Sequence, residues 1–245
     1  MRQEDVFDLP ARSVHVWSLD LDLERLCLAP LAAALSSDER ARARRFVSLL
    51  DRERWVAAHG LVRRILSGYL GVFADSLWFE RAAGGKPRLA GTRSLRFNLA
   101  HAGGRALLAV SHGIELGVDL EEVKDVGELP CLAATCFSRA EQVALAAVSG
   151  QERLACFFAA WTRKEAFLKL LGSGLARPLS SFDVSLAPGE PARLLRVAGD
   201  PFAPARVALH AFTPAGGFVA ALAVERTAVV VHRHGGALSM LLSVA

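Results

Sequence analysis

The chain repeats itself, and the repeat restricts its folds more than any other feature. Phe137-Ser138-Arg139-Ala140-Glu141 matches Leu35-Ser36-Ser37-Asp38-Glu39 at an offset of 102 residues. Each segment has a serine followed three residues later by a glutamate, the signature of a capping box at a helix start. At the same offset Ala159-Ala160 falls on Ala57-Ala58, and Leu168 falls on Leu66. Gly216 to Val224 echoes Gly103 to Val110 at a slightly larger offset, as loop insertions would produce. The matched segments keep one order in both copies. This pattern predicts an α+β chain of two similar, pseudo-twofold-related halves packed face to face, each a small antiparallel sheet with helices. The seam falls near residue 117, giving halves at 1–117 and 118–226. Residues 227–245 follow as an apolar C-terminal extension, an extra strand or a loosely docked terminus, whose His232 and His234 do not read as a metal site.

The elements between the repeats are legible in turn. Val14 to Leu19 reads as a strand. A helix starting at Ser36 carries Arg40, Arg42, Arg44 and Arg45, and a longer one runs from Asp51 to Leu70 before Gly71. Leu77 to Arg81 is a short strand, and Gly84-Gly85-Lys86-Pro87-Arg88-Leu89 is a turn with two cations. Leu95 to Ala100 and Ala106 to Ser111 are strands joined around Gly103-Gly104, a hairpin signal. Ile114 to Leu120 is a further strand, which runs into Asp119, Glu121 and Glu122.

Two acidic features stand out. In Gly117-Val118-Asp119-Leu120-Glu121 the acids alternate with apolar residues, so on a strand Asp119 and Glu121 share a face. Adjacent carboxylates repel unless a divalent cation sits between them, and an all-oxygen donor set favours Mg2+ over zinc. The other reading is a strand end leaving the core with solvated acids. The second feature is Glu165, within Phe157 to Leu175. Helical spacing aligns Trp161, Glu165, Leu168 and Gly172, so the glutamate lies on or beside a packing face, with Trp161 and Leu168 as core residues. Lys169 lies one turn on, within reach of Glu165 or of a shared ligand. Alone, that spacing also fits an amphipathic helix with a surface ion pair. The repeat argues against this, because the offset of 102 sets Arg63 against Glu165 and Ser67 against Lys169. A purely structural pair would recur in both copies.

The 245 residues carry a net charge of +4, which suits an acidic partner or a polyphosphate ligand and is too small to argue for nucleic acid. Cys27, Cys131, Cys136 and Cys156 form no CxxC pair and have no matching histidine spacing, so zinc is not expected. With no secretory leader and no long uncharged apolar run, the expectation is a cytoplasmic protein that spans no membrane.

Together these motifs resemble a 4′-phosphopantetheinyl transferase of the Sfp type. The matches are Gly85-Lys86-Pro87, Phe97-Asn98-Leu99-Ala100-His101, Gly117-Val118-Asp119-Leu120-Glu121, Phe137-Ser138 with Glu141, and Trp161-Thr162-Arg163-Lys164-Glu165-Ala166-Phe167-Leu168-Lys169 through Gly172-Ser173-Gly174-Leu175. They stand in the family's order and spacing from about Arg40 to Leu175. The resemblance implies the family's two-halved fold, with the first half on the coenzyme A side and the acids on the second. It implies transfer of the phosphopantetheine arm of coenzyme A to a serine of an apo acyl or peptidyl carrier protein, with release of adenosine 3′,5′-bisphosphate. Asp119, Glu121 and Glu165 would hold Mg2+. Lys169 would contact the phosphates, with Lys164 nearby, and Lys86 and His101 would contact the coenzyme A phosphates. Arg42, Arg45 and Arg54 fall in the nucleotide-binding region. Glu165 would be the base, directly or through water, and Lys169 would help the leaving group depart.

One departure is Ala100 and Ala102 beside His101, where the family usually has serines, so altered coenzyme A affinity is expected. The resemblance further implies a monomer and a carrier from fatty-acid, polyketide, nonribosomal-peptide or siderophore assembly, in keeping with secondary metabolism. The alternatives are a non-catalytic homologue that binds carrier protein or coenzyme A, and a different Mg2+-dependent phosphoryl enzyme such as a nucleotide pyrophosphatase.

Overall fold

The computed structural model describes residues 6–82, 84–92, 94–172, 177–187, 189–225 and 228–235. Ser173, Gly174 and Leu175 of the last matched motif lie outside the described residues, as do residues 236–245 of the C-terminal extension.

The first half begins with β1 (Ser13–Asp20) and three helices, α1 (Arg25–Ala33), α2 (Ser37–Ala43) and α3 (Leu49–Leu70). A 3-10 turn at Ala74–Ser76 leads to β2 (Phe79–Arg81), β3 (Pro87–Leu89), β4 (Leu95–Ala102) and β5 (Arg105–His112). The second half runs through the same series: β6 (Leu116–Glu122), α4 (Leu129–Cys136), α5 (Arg139–Ala146), α6 (Gly150–Leu171), a 3-10 turn at Leu179–Ser181, β7 (Phe182–Val184) and β8 (Leu194–Val197). After the short α7 (Ala203–Arg206) come β9 (Ala208–Phe212), β10 (Phe218–Val224) and β11 (Val230–Gly235). Neither α1 nor α4 was legible in the sequence. In α1 an internal Pro30, normally a helix breaker, obscures the helical pattern.

Strand order repeats as well. In the first half β1 pairs with β5 and β5 with β4; in the second β6 pairs with β10 and β10 with β9, all antiparallel. Each half adds a two-stranded hairpin, β2–β3 or β7–β8. β11 lies parallel to β1, with Ser13 opposite Val230 and Trp17 opposite His234, and extends the first sheet to four strands.

The layers follow from which face each strand buries. Val14, Val16, Leu107 and Ala109 face Leu116, Val118, Leu120 and Leu222 between the sheets. On the outside of the first sheet Trp17, Leu108 and Val110 pack under Ala57, Leu61 and Ile65 of α3. Ala221 and Ala223 pack under Phe157, Ala166 and Phe167 of α6 in the same way. The order is therefore helices, sheet, sheet, helices, with one apolar core in each gap.

The capping boxes form in both copies: Ser36 with Glu39, and Ser138 with Glu141. Both long helices have 22 residues and end on a glycine at φ 64°, Gly71 and Gly172. These glycines are 101 residues apart, not 102, and this corrects the pairing read from the sequence. Arg63 matches Lys164, Glu165 matches Arg64, and Lys169 matches Gly68. The pair Glu165 and Lys169 is still missing from the first copy.

The corrected register exposes a duplicated anchor. Arg63 Nε lies 2.6 Å from Glu39 Oε2, and the guanidinium donates to the carbonyls of Ala74 and Leu77 around the first 3-10 turn. Lys164 Nζ lies 2.7 Å from Glu141 Oε2 and donates to the carbonyls of Leu179 and Phe182 around the second. In each half the helix-capping glutamate also holds the cation that fastens the long helix to the following turn.

Candidate functional site

The acids come together where β6 crosses α6. Gly117 makes the crossing close: a Cβ there would lie 2.7 Å from the carbonyl carbon of Lys169 and would overlap Ala166 O and Leu170 N. Without a side chain at this point, β6 rests on the helix backbone, and Asp119 two residues on reaches α6. Asn98 of β4 fixes β6 from the other side, since its buried Oδ1 accepts a 2.8 Å hydrogen bond from Val118 N.

On α6 the positions Trp161, Glu165 and Lys169 are half-buried, while Lys164 and Ala166 beside Glu165 are buried, so every fourth residue presents a stripe to the acids. Lys169 Nζ lies 2.6 Å from Asp119 Oδ1 and forms no ion pair with Glu165. The i,i+4 reach suggested by the sequence is used across the helix–strand gap instead. Trp161 is more than the packing residue expected: its Nε1 donates a 3.0 Å hydrogen bond to Glu121 Oε1. A tryptophan four residues before the glutamate was the available signal, but spacing alone does not reveal an indole donor.

The electrostatics are those of a charge cluster short of cations. Burial first pushes Asp119 up, Lys169 pulls it back, and Glu121 and Glu165 push it up again, to a pKa of about 7. Glu165 is raised mainly by burial, with Lys169 opposing and Glu121 adding to the shift. Asp119 Oδ2 is buried without a hydrogen-bond partner. An orphaned buried carboxylate oxygen beside two further carboxylates is a donor set that suits a hard divalent cation. Among the described residues no group of three or more His, Cys, Asp or Glu side chains is gathered closely enough to hold a metal. The chemistry of the donors therefore fits Mg2+, and side-chain rotation would have to bring the oxygens together.

A cleft of about 840 Å3 opens in the first half beside this cluster, lined by Arg42, Arg54, Trp55, His59, Phe97 and His101 among others. His101 ties the cleft to the acids: it is exposed by surface area, yet partial burial and then Lys169 hold its pKa below the ordinary histidine value. Arg54 makes a two-point pair with Asp22 at 2.6 and 2.9 Å. The Arg42 guanidinium lies 5.7 Å from the centre of the Trp55 ring, which stacks on His59 at 3.9 Å. Neither aromatic residue of that stack was singled out from the sequence.

Three expected contacts are placed elsewhere. Lys164 is fully buried in the anchor described above, with Phe182 4.3 Å from its ammonium, and it points away from the acids. Lys86 is directed to Glu115 Oε2 at 3.2 Å and to the carbonyl of Leu116 at 2.7 Å, and it lines a separate cleft of about 490 Å3 with Arg88 and Arg206. Arg45 is exposed and lies outside the lining of the larger cleft. Burial decides the first two: a lysine ammonium that loses water takes the nearest carboxylate and carbonyls.

Comparison with known proteins matches two family models. One described as "4'-phosphopantetheinyl transferase superfamily" covers residues 115–223, and one described as "4'-phosphopantetheinyl transferase, N-terminal" covers residues 26–113. The chain is 41% identical over 185 residues to the 4′-phosphopantetheinyl transferase HetI of Nostoc sp., covering 74% of this chain and 77% of that protein. It is 32% identical over 175 residues to the 4′-phosphopantetheinyl transferase psf-1 of Bacillus pumilus, covering 71% and 74%. It is 30% identical over 152 residues to the 4′-phosphopantetheinyl transferase Sfp of Bacillus subtilis, covering 62% and 66%.

Proposed function

The chain belongs to the 4′-phosphopantetheinyl transferase superfamily, and from that membership we propose that it moves the phosphopantetheine arm of coenzyme A onto a serine of an apo carrier protein. The second product is adenosine 3′,5′-bisphosphate. The observation that carries this reading is the convergence of Asp119, Glu121, Glu165 and Lys169 beside the cleft that holds His101, Arg42 and Arg54. The first half would take the nucleotide and the second the reacting phosphates. The homologue that only binds its ligands draws no support from the relatives, which are transferases by name.

Asp119, Glu121 and Glu165 would hold Mg2+, whose charge, when bound, offsets the negative charge that builds on the pyrophosphate. Glu165 has a carboxylate made more basic by burial, suited to take the proton of the incoming serine hydroxyl, directly or through water. The serine oxygen bonds to the β-phosphorus as the bond from that phosphorus to the bridging oxygen breaks, and the bisphosphate leaves with the electron pair. Lys169 presents its ammonium to the phosphate oxygens and steadies the leaving group. His101, Arg42 and Arg54 orient the nucleotide in the cleft. Lys86, Lys164 and Arg45 take no part in this arrangement.

Both walls of the site come from one chain, which suits a monomer. All four cysteines are free, which suits a reducing cytoplasm, and among the described residues no helix is long and apolar enough to cross a membrane. The test is mass spectrometry of candidate apo carrier proteins after incubation with coenzyme A and Mg2+. A mass gain of one phosphopantetheine arm is expected from the wild type and almost none from Asp119→Asn or Glu165→Gln. Bisphosphate release without any carrier protein would point to a pyrophosphatase instead.

A further inference from the structure

Lys169 holds one oxygen of a carboxylate that a divalent cation would need. Its Nζ lies 2.6 Å from Asp119 Oδ1, while Asp119 Oδ2 is buried without a hydrogen-bond partner. Glu121 is turned toward Trp161 through Oε1. The Glu165 side chain makes neither a hydrogen bond nor an ion pair among the described residues, although Lys169 is only one helical turn away. The three carboxylates are thus within electrostatic reach of one another but not gathered around a common point. The ammonium is a single charge on a flexible stem, 30% exposed, and so free to move toward the neighbouring cleft, where it is already close enough to His101 to act on it.

We infer that Lys169 is the resident counter-ion of Asp119 in the metal-free protein and is exchanged for the divalent cation when coenzyme A binds. The phosphates draw the ammonium off Asp119, both of its carboxylate oxygens become available, and Glu121 and Glu165 close on the incoming cation. Cation and nucleotide then bind with positive coupling, because the phosphates both recruit the cation and remove its competitor. The inference rests on the reading of the site given above, and it adds that one side chain serves two positions in turn.

The test is Mn2+ binding to the whole chain, followed by electron paramagnetic resonance of free Mn2+, with and without saturating coenzyme A and no carrier protein. Lys169→Met should bind Mn2+ about tenfold more tightly than the wild type in the absence of coenzyme A, within the usual range of coupling between neighbouring sites. Coenzyme A should then raise Mn2+ affinity by a distinctly larger factor in the wild type than in Lys169→Met, since the variant has no competitor to remove. Lys169→Gln, with a polar side chain, serves as a second variant. The exchange is overturned if removing the ammonium leaves Mn2+ affinity unchanged, or if coenzyme A enhances it equally in both proteins. Asp119→Asn separates the two levels of the argument: if it binds Mn2+ as the wild type does, the carboxylate site itself is misassigned, and the exchange falls with it.

Discussion

Trp161 Nε1 donates a 3.0 Å hydrogen bond to Glu121 Oε1, joining α6 to β6 at the second of the three acids. The indole restrains one carboxylate oxygen and leaves the other for a ligand. Trp161→Phe keeps most of the packing and removes the donor. A hydrogen bond to a charged group is worth about 1.5–3 kcal/mol, so a loss of kcat/KM of about 10- to 100-fold is expected, with Tm changed by only a few degrees. A fall in Tm that parallels the lost activity would mean that the indole acts through packing alone.

Gly117→Ala should injure fold and activity together. Its Cβ would overlap the backbone of α6 at Ala166 and Leu170, which cannot move aside as a side-chain end can. Overpacking of this kind costs about 1–3 kcal/mol, and any relief moves Asp119 away from Lys169. Denaturant unfolding and turnover measured on the same preparation check this. Wild-type turnover in Gly117→Ala would show that the helix–strand approach is not what sets the site.

Lys164 separates a structural role from a binding one. Removing one partner of a buried pair costs about 3–5 kcal/mol, so Lys164→Met or Glu141→Gln should lower stability strongly. The double replacement Glu141→Gln with Lys164→Met, which keeps an acceptor for the Ser138 and Val184 amides, should recover part of that loss. Coenzyme A affinity, measured by calorimetry on the folded fraction, should stay at the wild-type value in the double variant. A selective loss of affinity would return Lys164 to the nucleotide site.

Acid should weaken the fold through two histidines. His15 is held neutral by burial and then by His234 and His232, and His59 by burial above all, each with its pKa lowered to about 4. The unfolded chain titrates near the ordinary value of about 6.5, so between pH 6.5 and 4 it binds more protons than the folded chain. Stability from these groups is therefore complete above 6.5 and lost as the pH falls toward 4. Asp119 has the opposite sign, because its raised pKa lets the folded chain bind the extra proton below about pH 7. Urea unfolding between pH 4 and 7.5 in an Asp119→Asn, Glu165→Gln background, which removes both raised carboxylates, should isolate the histidine slope, and His15→Gln should flatten it. An unchanged slope in His15→Gln would remove that residue from the account.

What could be read in the sequence was whatever local chemistry dictates. Ser36 with Glu39 and Ser138 with Glu141 announce two helix starts, and the alternation around Asp119 puts it on a strand face with Glu121. These are short-range rules, and they recovered the duplicated α+β architecture and the strand that carries Asp119 and Glu121. The direction of a long side chain is set by what folds against it from far along the chain. Lys164 is taken by Glu141 and by carbonyls 15 and 18 residues ahead, and Lys86 by Glu115 29 residues ahead. The one-residue error in the repeat has the same origin: alanine-rich helix interiors match at several offsets, and only the terminal glycines Gly71 and Gly172 fix the register.

β11 is the last strand among the described residues, yet it completes the sheet of the first half, beside β1. This late segment thus closes a sheet whose other strands are made long before it during synthesis. A nascent chain that has emerged as far as residue 112 holds β1 with an open edge. That edge can be covered in this way only when Val230–Gly235 arrives. Injury to β11 would be felt in the opposite half from the acids, with the carboxylate-bearing sheet left intact.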